Sequence, residues 1–298
     1  MYPRAFEYFA VGTVREASEL LAHYADEARV LAGGQSLIPL MKLRLANPSH
    51  IIDIGNILGL DYVEEVDGAL HVGALATHAA VLEFADVREG WPLMADAVSV
   101  IGDHQVRNWG TVGGALAEAD PAGDWGAVIL ALKARIRCAS SRGERWLAAA
   151  DFFADAYTTQ LATDELITEI VFRAPKRSSA GAYLKLERRA GDFAVVSVGV
   201  QLSLTEAGLC EEASIALAAA GLTPIYAEEA ASFLAGKELR SDVIDEAARR
   251  VAAATQPLSD IRGSEDYKRA AAQALFKQAV EVAVRRSRGV TVEAAHGR

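Results

Sequence analysis

The sequence predicts an α+β protein of three domains, and three observations carry that prediction. The chain has 298 residues, more than one small core holds and enough for two or three compact domains. Its last third runs strands first and then helices, the order of an α+β domain. Its middle holds a Gly-rich polar stretch, residues 102–126, too long for a casual turn and too polar to read as a core element.

Residues 13–25 read as an amphipathic helix. Val14, Ala17, Leu20 and Leu21 share one face, and Glu16 and Glu19 can meet water. A short strand at 28–31 stops at Gly33 and Gly34. A helical piece at 37–45 is broken by Pro48, and 50–54 reads as a buried strand. These form a small β-α-β unit, with the first boundary expected at 57/58. Residues 62–66 and 69–73 flank Asp67 and Gly68, a short-range hairpin signal. Thr77 can cap a helix through Val81 and Phe84, and a further helix lies between Pro92 and Val100. After the polar stretch come a helix at 127–132, strands at 134–139 and 166–171, and a segment at 144–147 between them. They complete a second unit, 58–175. Residues 175–180 read as a linker. The third unit, 176–298, has strands at 182–187, 195–204 and 213–219, then helices at 226–234, 242–254 and 265–286.

Composition narrows the function. Hydrophobic residues make up 51% and charged residues 23%, an ordinary globular balance. The formal net charge of −10 argues against nucleic acid or an anionic membrane as partner. Arg285, Arg286 and Arg288 read as cations at a helix C-terminus. Cys138 and Cys210 form no CxxC pair, so neither a disulfide framework nor an iron–sulfur cluster is expected, and a reducing, cytoplasmic setting is. The opening residues lack the apolar stretch of a signal peptide, and no segment is long enough to span a bilayer. The six histidines show no HxxxH or HExxH spacing, so no metal site is expected. GGQSL is not the GxSxG of a hydrolase.

Two glycine motifs could carry chemistry. Ala32, Gly33, Gly34, Gln35 and Ser36 follow a strand and precede a helical turn, so their amides can converge on a phosphate and Ser36 can add its hydroxyl. The pattern is not GxGxxG, and no acidic residue stands at the distance of a Rossmann ribose contact. The second motif offers a Gly113-Gly114 pair read as another nest, the Thr111 hydroxyl, and carboxylates at Asp120 and Asp124. Two nests suit two phosphates, and a carboxylate suits sugar hydroxyls. A dinucleotide bound without a Rossmann fingerprint follows.

Residues 32–54 (AGGQSLIPLMKLRLANPSHIIDI), 101–132 (IGDHQVRNWGTVGGALAEADPAGDWGAVILAL) and 188–200 (RRAGDFAVVSVGV) closely resemble the FAD-binding medium subunit of molybdenum hydroxylases, the carbon-monoxide dehydrogenase medium-subunit and xanthine dehydrogenase FAD-binding family. The likeness runs through nearly the whole chain. It implies a two-lobed PCMH-type FAD-binding fold plus a C-terminal domain of antiparallel sheet and helices. By this resemblance, Ala32, Gly33, Gly34, Gln35 and Ser36 hold the FAD pyrophosphate, and Thr111, Val112, Gly113, Gly114 and Ala115 complete the grip. Ile101 lies against the flavin and Asp124 bonds the cofactor's sugar-like chain. Leu166 and Lys185 fall in flavin-lining stretches. Phe193 matches an aromatic position near the ring where some relatives have Tyr, so apolar cover is kept and a hydroxyl lost.

The resemblance further implies an oxidoreductase subunit with no catalytic residue of its own. FAD takes electrons from the 2Fe-2S clusters of a small subunit and passes them to an external acceptor: quinone, NAD or oxygen. Substrate is oxidised on a large molybdopterin-binding subunit, and the assembly is a dimer of heterotrimers. His104 and Cys138 are the nearest candidates for a covalent flavin link and nothing activates either, so non-covalent FAD is expected. The cysteine-bearing loop that holds a 4Fe-4S cluster in 4-hydroxybenzoyl-CoA reductase is missing from the sequence. Two alternatives stand beside this expectation: a self-sufficient FAD-dependent oxidoreductase on the same fold, and a flavin-free assembly subunit.

Overall fold

A computed structural model describes residues 2–294 and 296. The first lobe comprises β1 (Glu7–Ala10), α1 (Val14–Tyr24), β2 (Ala28–Leu31), α2 (Leu37–Lys42) and β3 (His50–Asp53). Thr13 starts α1 with a capping box: its hydroxyl accepts from the Glu16 amide, and the Glu16 carboxylate accepts from the Thr13 amide. The strands lie parallel in the order β1-β3-β2, so the β3 residues Ile51 and Ile52 are covered on both sides. β1 carries no signal of its own in the sequence. Its residues are mostly exposed, and the pairing with β3 holds it in place.

The second lobe contains β4 (Val63–Val66), β5 (Ala69–Gly73), α3 (His78–Glu83), α4 (Ala85–Gly90), α5 (Pro92–Ser99), α6 (His104–Trp109), α7 (Val112–Glu118), α8 (Asp124–Ala131), β6 (Arg135–Ser140), β7 (Gly143–Ala148), β8 (Phe153–Asp155), β9 (Thr158–Thr159) and β10 (Leu166–Phe172). Five of the strands form an antiparallel sheet in the order β4-β5-β10-β6-β7. The hairpin turn has φ of 52° at Asp67 and 80° at Gly68, the two positive values that a two-residue primed turn requires.

The polar stretch departs from expectation. It folds into α6, α7 and the start of α8, and it sends Thr111, Val112, Gly113, Leu116 and Trp125 into the core. Its glycines and small residues permit close packing, so low hydrophobicity here reflects tight contact more than exposure.

The third unit holds β11 (Ser179–Leu186), β12 (Val196–Leu204), β13 (Cys210–Ala218), β14 (Ile225–Tyr226), α9 (Glu228–Leu234), α10 (Ser241–Ala254) and α11 (Glu265–Ser287). β11 begins at Ser179, so the expected linker is shorter than 175–180. The sheet is an antiparallel meander in the order β11-β12-β13-β14. Period-two alternation splits β12 between two layers. Val196, Val198, Val200 and Leu202 pack in the core with α9, α10 and α11. Gly199 faces Leu93 of α5 and Ala131 of α8. Every residue of α8 is buried, which fits a helix pressed between two sheets. Arg286 joins the layers too: its guanidinium donates to Asp96 at 2.6 and 3.0 Å and to the Gly181 carbonyl at 2.8 Å. It is therefore a buried tie between domains and not a solvated helix-end cation. Among the described residues no helix is long and apolar enough to cross a membrane.

Glu212 forms a second tie. Its two carboxylate oxygens accept from Lys133 and Lys176, each at 2.6 Å. The two ammonium groups hold its pKa down at about 2. A depressed carboxylate contributes stability above its unfolded pKa and loses it as pH falls through the folded value. All three groups are largely solvated, which limits the contribution to about 1 kcal/mol. We expect Glu212→Gln to lower stability by that amount at neutral pH, with the gap to the parent closing below about pH 4.5 in thermal melts.

Candidate functional site

The structure brings the two glycine motifs into contact. A Cβ on Gly33 would lie 2.8 Å from the Trp109 carbonyl carbon, 2.9 Å from Gly110 Cα, and closer still to the Trp109 oxygen. Only glycine lets the AGGQS loop rest on the α6–α7 turn. Gly34 has φ of 72°, which turns the loop into α2. Ala32 in turn faces Gly114. Among the described residues, the amides of Gly33, Gly34, Gln35, Ser36 and Leu37 have no acceptor within the protein. Five consecutive unsatisfied donors, mostly at the surface, make an anion cradle.

The second motif works differently from the nest expected there. The Val112 and Gly113 amides donate to the carbonyls of Ala76 and Ala74, at 3.0 and 2.9 Å. The Gly114 amide donates to Thr111 Oγ1 and the Ala115 amide to the Thr111 carbonyl. All four donors are spent on seating α7. Gly113 is glycine because a Cβ would strike Ala74, and Gly114 because one would strike Thr111. The motif is a buttress beneath the first loop. What it keeps for a ligand is the Thr111 hydroxyl proton.

A buried charged cluster lies behind the same segment. Tyr183, Lys185 and Glu187 alternate along and just past β11, so their side chains share the face toward the second lobe. Tyr183 donates to Asp124 Oδ1 at 2.5 Å, and Lys185 donates to Asp124 Oδ2 at 3.1 Å and the Val100 carbonyl at 3.2 Å. Glu187 lies 3.8 Å from the Lys185 ammonium, and its Oε2 has no hydrogen-bond partner among the described residues. Burial pushes the Asp124 carboxyl up, opposed by Lys185 and Tyr183. Burial, with Asp124 adding to it, raises the Tyr183 hydroxyl well above its ordinary value. His296 sits near these charges, and burial together with Lys185 lowers its pKa.

The other expected site residues divide. Ile101 is half-buried, and its carbonyl accepts from Arg107. Gly191, at φ 79°, packs against Gly102, so the loop carrying Phe193 closes on the segment carrying Ile101. Phe193 is exposed under the Arg262 guanidinium. Asp120 holds its own turn, accepting from the Ala122 amide at 2.8 Å and the Tyr157 hydroxyl at 3.3 Å. Leu166 is buried in the first lobe's core with Ile54, Ile57 and Leu75, the cluster against which Ala32 of the first loop packs. His104 is exposed on α6. Cys138 is buried in β6 with its thiol pushed up to about 11 by burial, which makes it a poor nucleophile.

Sequence reasoning missed Tyr183, Glu187 and His78. The first two had a signal: polar groups at every second position of a strand otherwise apolar on both faces. His78 had none. It is buried beneath Gly110, its Nδ1 accepts from Trp125 Nε1 at 3.1 Å, and its amide donates to the Gly110 carbonyl. Burial, with Arg107 adding to it, pushes its pKa down to about 4. The unfolded chain then binds a proton that the folded chain refuses, so stability falls as pH drops from about 6.5 to 4, by about 3 kcal/mol at most. His78→Gln keeps an acceptor for Trp125 and removes the titration. Melting temperatures of the two proteins between pH 7 and 4.5 are expected to diverge, with the parent falling more steeply.

Residues 4–175 match the FAD binding domain in molybdopterin dehydrogenase, and residues 181–283 match the CO dehydrogenase flavoprotein C-terminal domain. The carbon monoxide dehydrogenase medium chain of Afipia carboxidovorans is 35% identical over 97% of this chain and 100% of its own. The glyceraldehyde dehydrogenase medium chain of Sulfolobus acidocaldarius is 38% identical over 94% and 98%. A solved structure of reconstituted CO dehydrogenase from Oligotropha carboxidovorans superposes with a TM-score of 0.93 at 36% identity, covering 96% of this chain and 100% of that one. Fold and loops together define a flavin-binding oxidoreductase subunit. The chain belongs to the family of FAD-binding medium subunits of molybdenum hydroxylases.

The residues present fit FAD. The five free amides suit a pyrophosphate, and the two glycine contacts leave no room for side chains.

Proposed function

We propose that this chain is the electron-transfer subunit that links the 2Fe-2S clusters of a small partner subunit to an external acceptor, with substrate oxidised on a large molybdopterin-binding partner. The observation that supports it most is the contact of Gly33 with Trp109 and Gly110, which sets five free amides over a buttressed helix. When bound, FAD supplies a centre that accepts single electrons and gives up two.

The chain's own residues bind and orient. Ala32, Gly33, Gly34, Gln35 and Ser36 hold the pyrophosphate, with Thr111 donating from below. Val112, Gly113, Gly114 and Ala115 fix the height of that floor. Ile101 and Phe193 flank the ring and limit water, and Lys185 places a fixed charge behind it. FAD is held without a covalent bond, since Cys138 is buried and raised in pKa. The relatives named for carbon monoxide and for glyceraldehyde share this chain's fold, which fits a subunit that does not choose the substrate. We place the complex in the cytoplasm as a dimer of heterotrimers, its acceptor a quinone, NAD or oxygen.

The test is reconstitution. The chain is co-expressed with its large and small partners and gel-filtered, and substrate is added without acceptor. Co-elution in equal amounts, retained flavin absorbance and its bleaching on reduction are expected. A chain that runs alone and turns over a substrate by itself would favour the self-sufficient enzyme. A colourless complex would favour the assembly subunit.

A further inference from the structure

The known motifs leave Glu187 unused. It is 4% exposed, its Oε2 accepts no hydrogen bond among the described residues, and the Lys185 ammonium 3.8 Å away is already shared by Asp124 and the Val100 carbonyl. Asp124, Lys185 and Glu187 thus set two carboxylates against one ammonium inside a nearly dry joint between domains. Taking a carboxylate from water costs several kcal/mol, and a pair at 3.8 Å without a hydrogen bond returns little of it. Packing does not require the charge, because an amide of the same shape would fill the space.

The cluster's position gives the charge a use. Lys185 holds the carbonyl of Val100, next to Ile101 and Gly102, and Gly102 meets the Phe193 loop through Gly191. Asp124 opens α8 directly after the segment whose Gly114 faces Ala32. The charges therefore stand behind the segment that connects the anion cradle to the two apolar groups flanking the ring. A fixed negative charge in such a low-dielectric place opposes the arrival of electrons nearby.

We infer that the buried Glu187 carboxylate, through its negative charge, lowers the reduction potential of FAD bound to this subunit. The inference rests on the FAD-binding function proposed above. The test is a spectroelectrochemical titration of the flavin in the co-expressed complex, with FAD affinity and melting temperature measured on the same preparations. Glu187→Gln is expected to retain FAD and to favour the reduced over the oxidised flavin about tenfold relative to the parent, a rise of about 30 mV for a two-electron couple. Glu187→Asp keeps the charge and is expected to stay near the parent value. Flavin-loaded Glu187→Gln at the parent potential would overturn the inference. If that variant does not fold, Glu187→Met, which removes the same charge with an apolar side chain of similar size, carries the test with the same sign: a raised potential supports the inference and an unchanged one overturns it. A parent complex without flavin would overturn the FAD-binding proposal as well, so the two failures are distinct.

Discussion

Gly33→Ala is expected to yield a folded protein that loses its flavin on a desalting column. The added methyl meets backbone, at 2.8 Å from the Trp109 carbonyl carbon and 2.9 Å from Gly110 Cα. Backbone cannot rotate away as a side chain can, so the loop or the α6–α7 turn must move. Overpacking of this kind costs about 1–3 kcal/mol. The cost falls on the geometry that aims the amides of residues 33–37, so FAD affinity should drop by up to about a hundredfold. Gly12→Ala is the control: its Cβ would find its nearest neighbour, Glu16 Oε2, at 3.8 Å. Equilibrium dialysis of FAD against both variants reads the difference. Parent-like affinity in Gly33→Ala would mean that the loops separate freely, and the two-motif grip would be wrong.

What was legible in the sequence was what depends on local chemistry. The Asp67-Gly68 turn, the Thr77 cap and the amphipathic face of α1 are read from neighbours, and they are found where the pattern places them. β1 was invisible because pairing with β3, more than forty residues away, creates it. α6 and α7 were obscured for a related reason. Gly110 after α6 and the two glycines inside α7 lower helix propensity, and only the contacts with His78, Ala74 and Ala32 explain why glycine is required.

The site was half legible. Consecutive glycines announced close backbone approach at both motifs, and the structure shows such approach at each. Which motif keeps free amides was not readable, because the acceptors for Val112 and Gly113 come from Ala76 and Ala74 in another segment. Lys185 came from the family resemblance alone. Its partners Asp124 and Glu187 are a lesson in periodicity: a charge on a strand buried on both faces must be paired, and its i±2 neighbours and the facing helix N-terminus are where to look.

Asp124→Ala is expected to cost about 3–5 kcal/mol of stability, the largest effect of any single change proposed for this chain. Lys185 is 1% exposed, and without Asp124 its ammonium keeps one carbonyl at 3.2 Å and a carboxylate at 3.8 Å. The buried Tyr183 hydroxyl loses its acceptor in the same step. Asp124→Asn should cost less, because its amide oxygen still accepts from one of the two donors. The triple variant Asp124→Leu, Lys185→Met and Glu187→Met separates the remaining causes, since removing Lys185 without Glu187 would strand a second carboxylate. If the loss in Asp124→Ala comes from a stranded charge, removing the whole cluster should recover most of it, as replacement of buried ion pairs by apolar groups often does. If the triple variant is as unstable as the single one, α8 needs the carboxylate itself at its first turn, where it also meets the helix dipole. Urea denaturation of the four proteins decides between these.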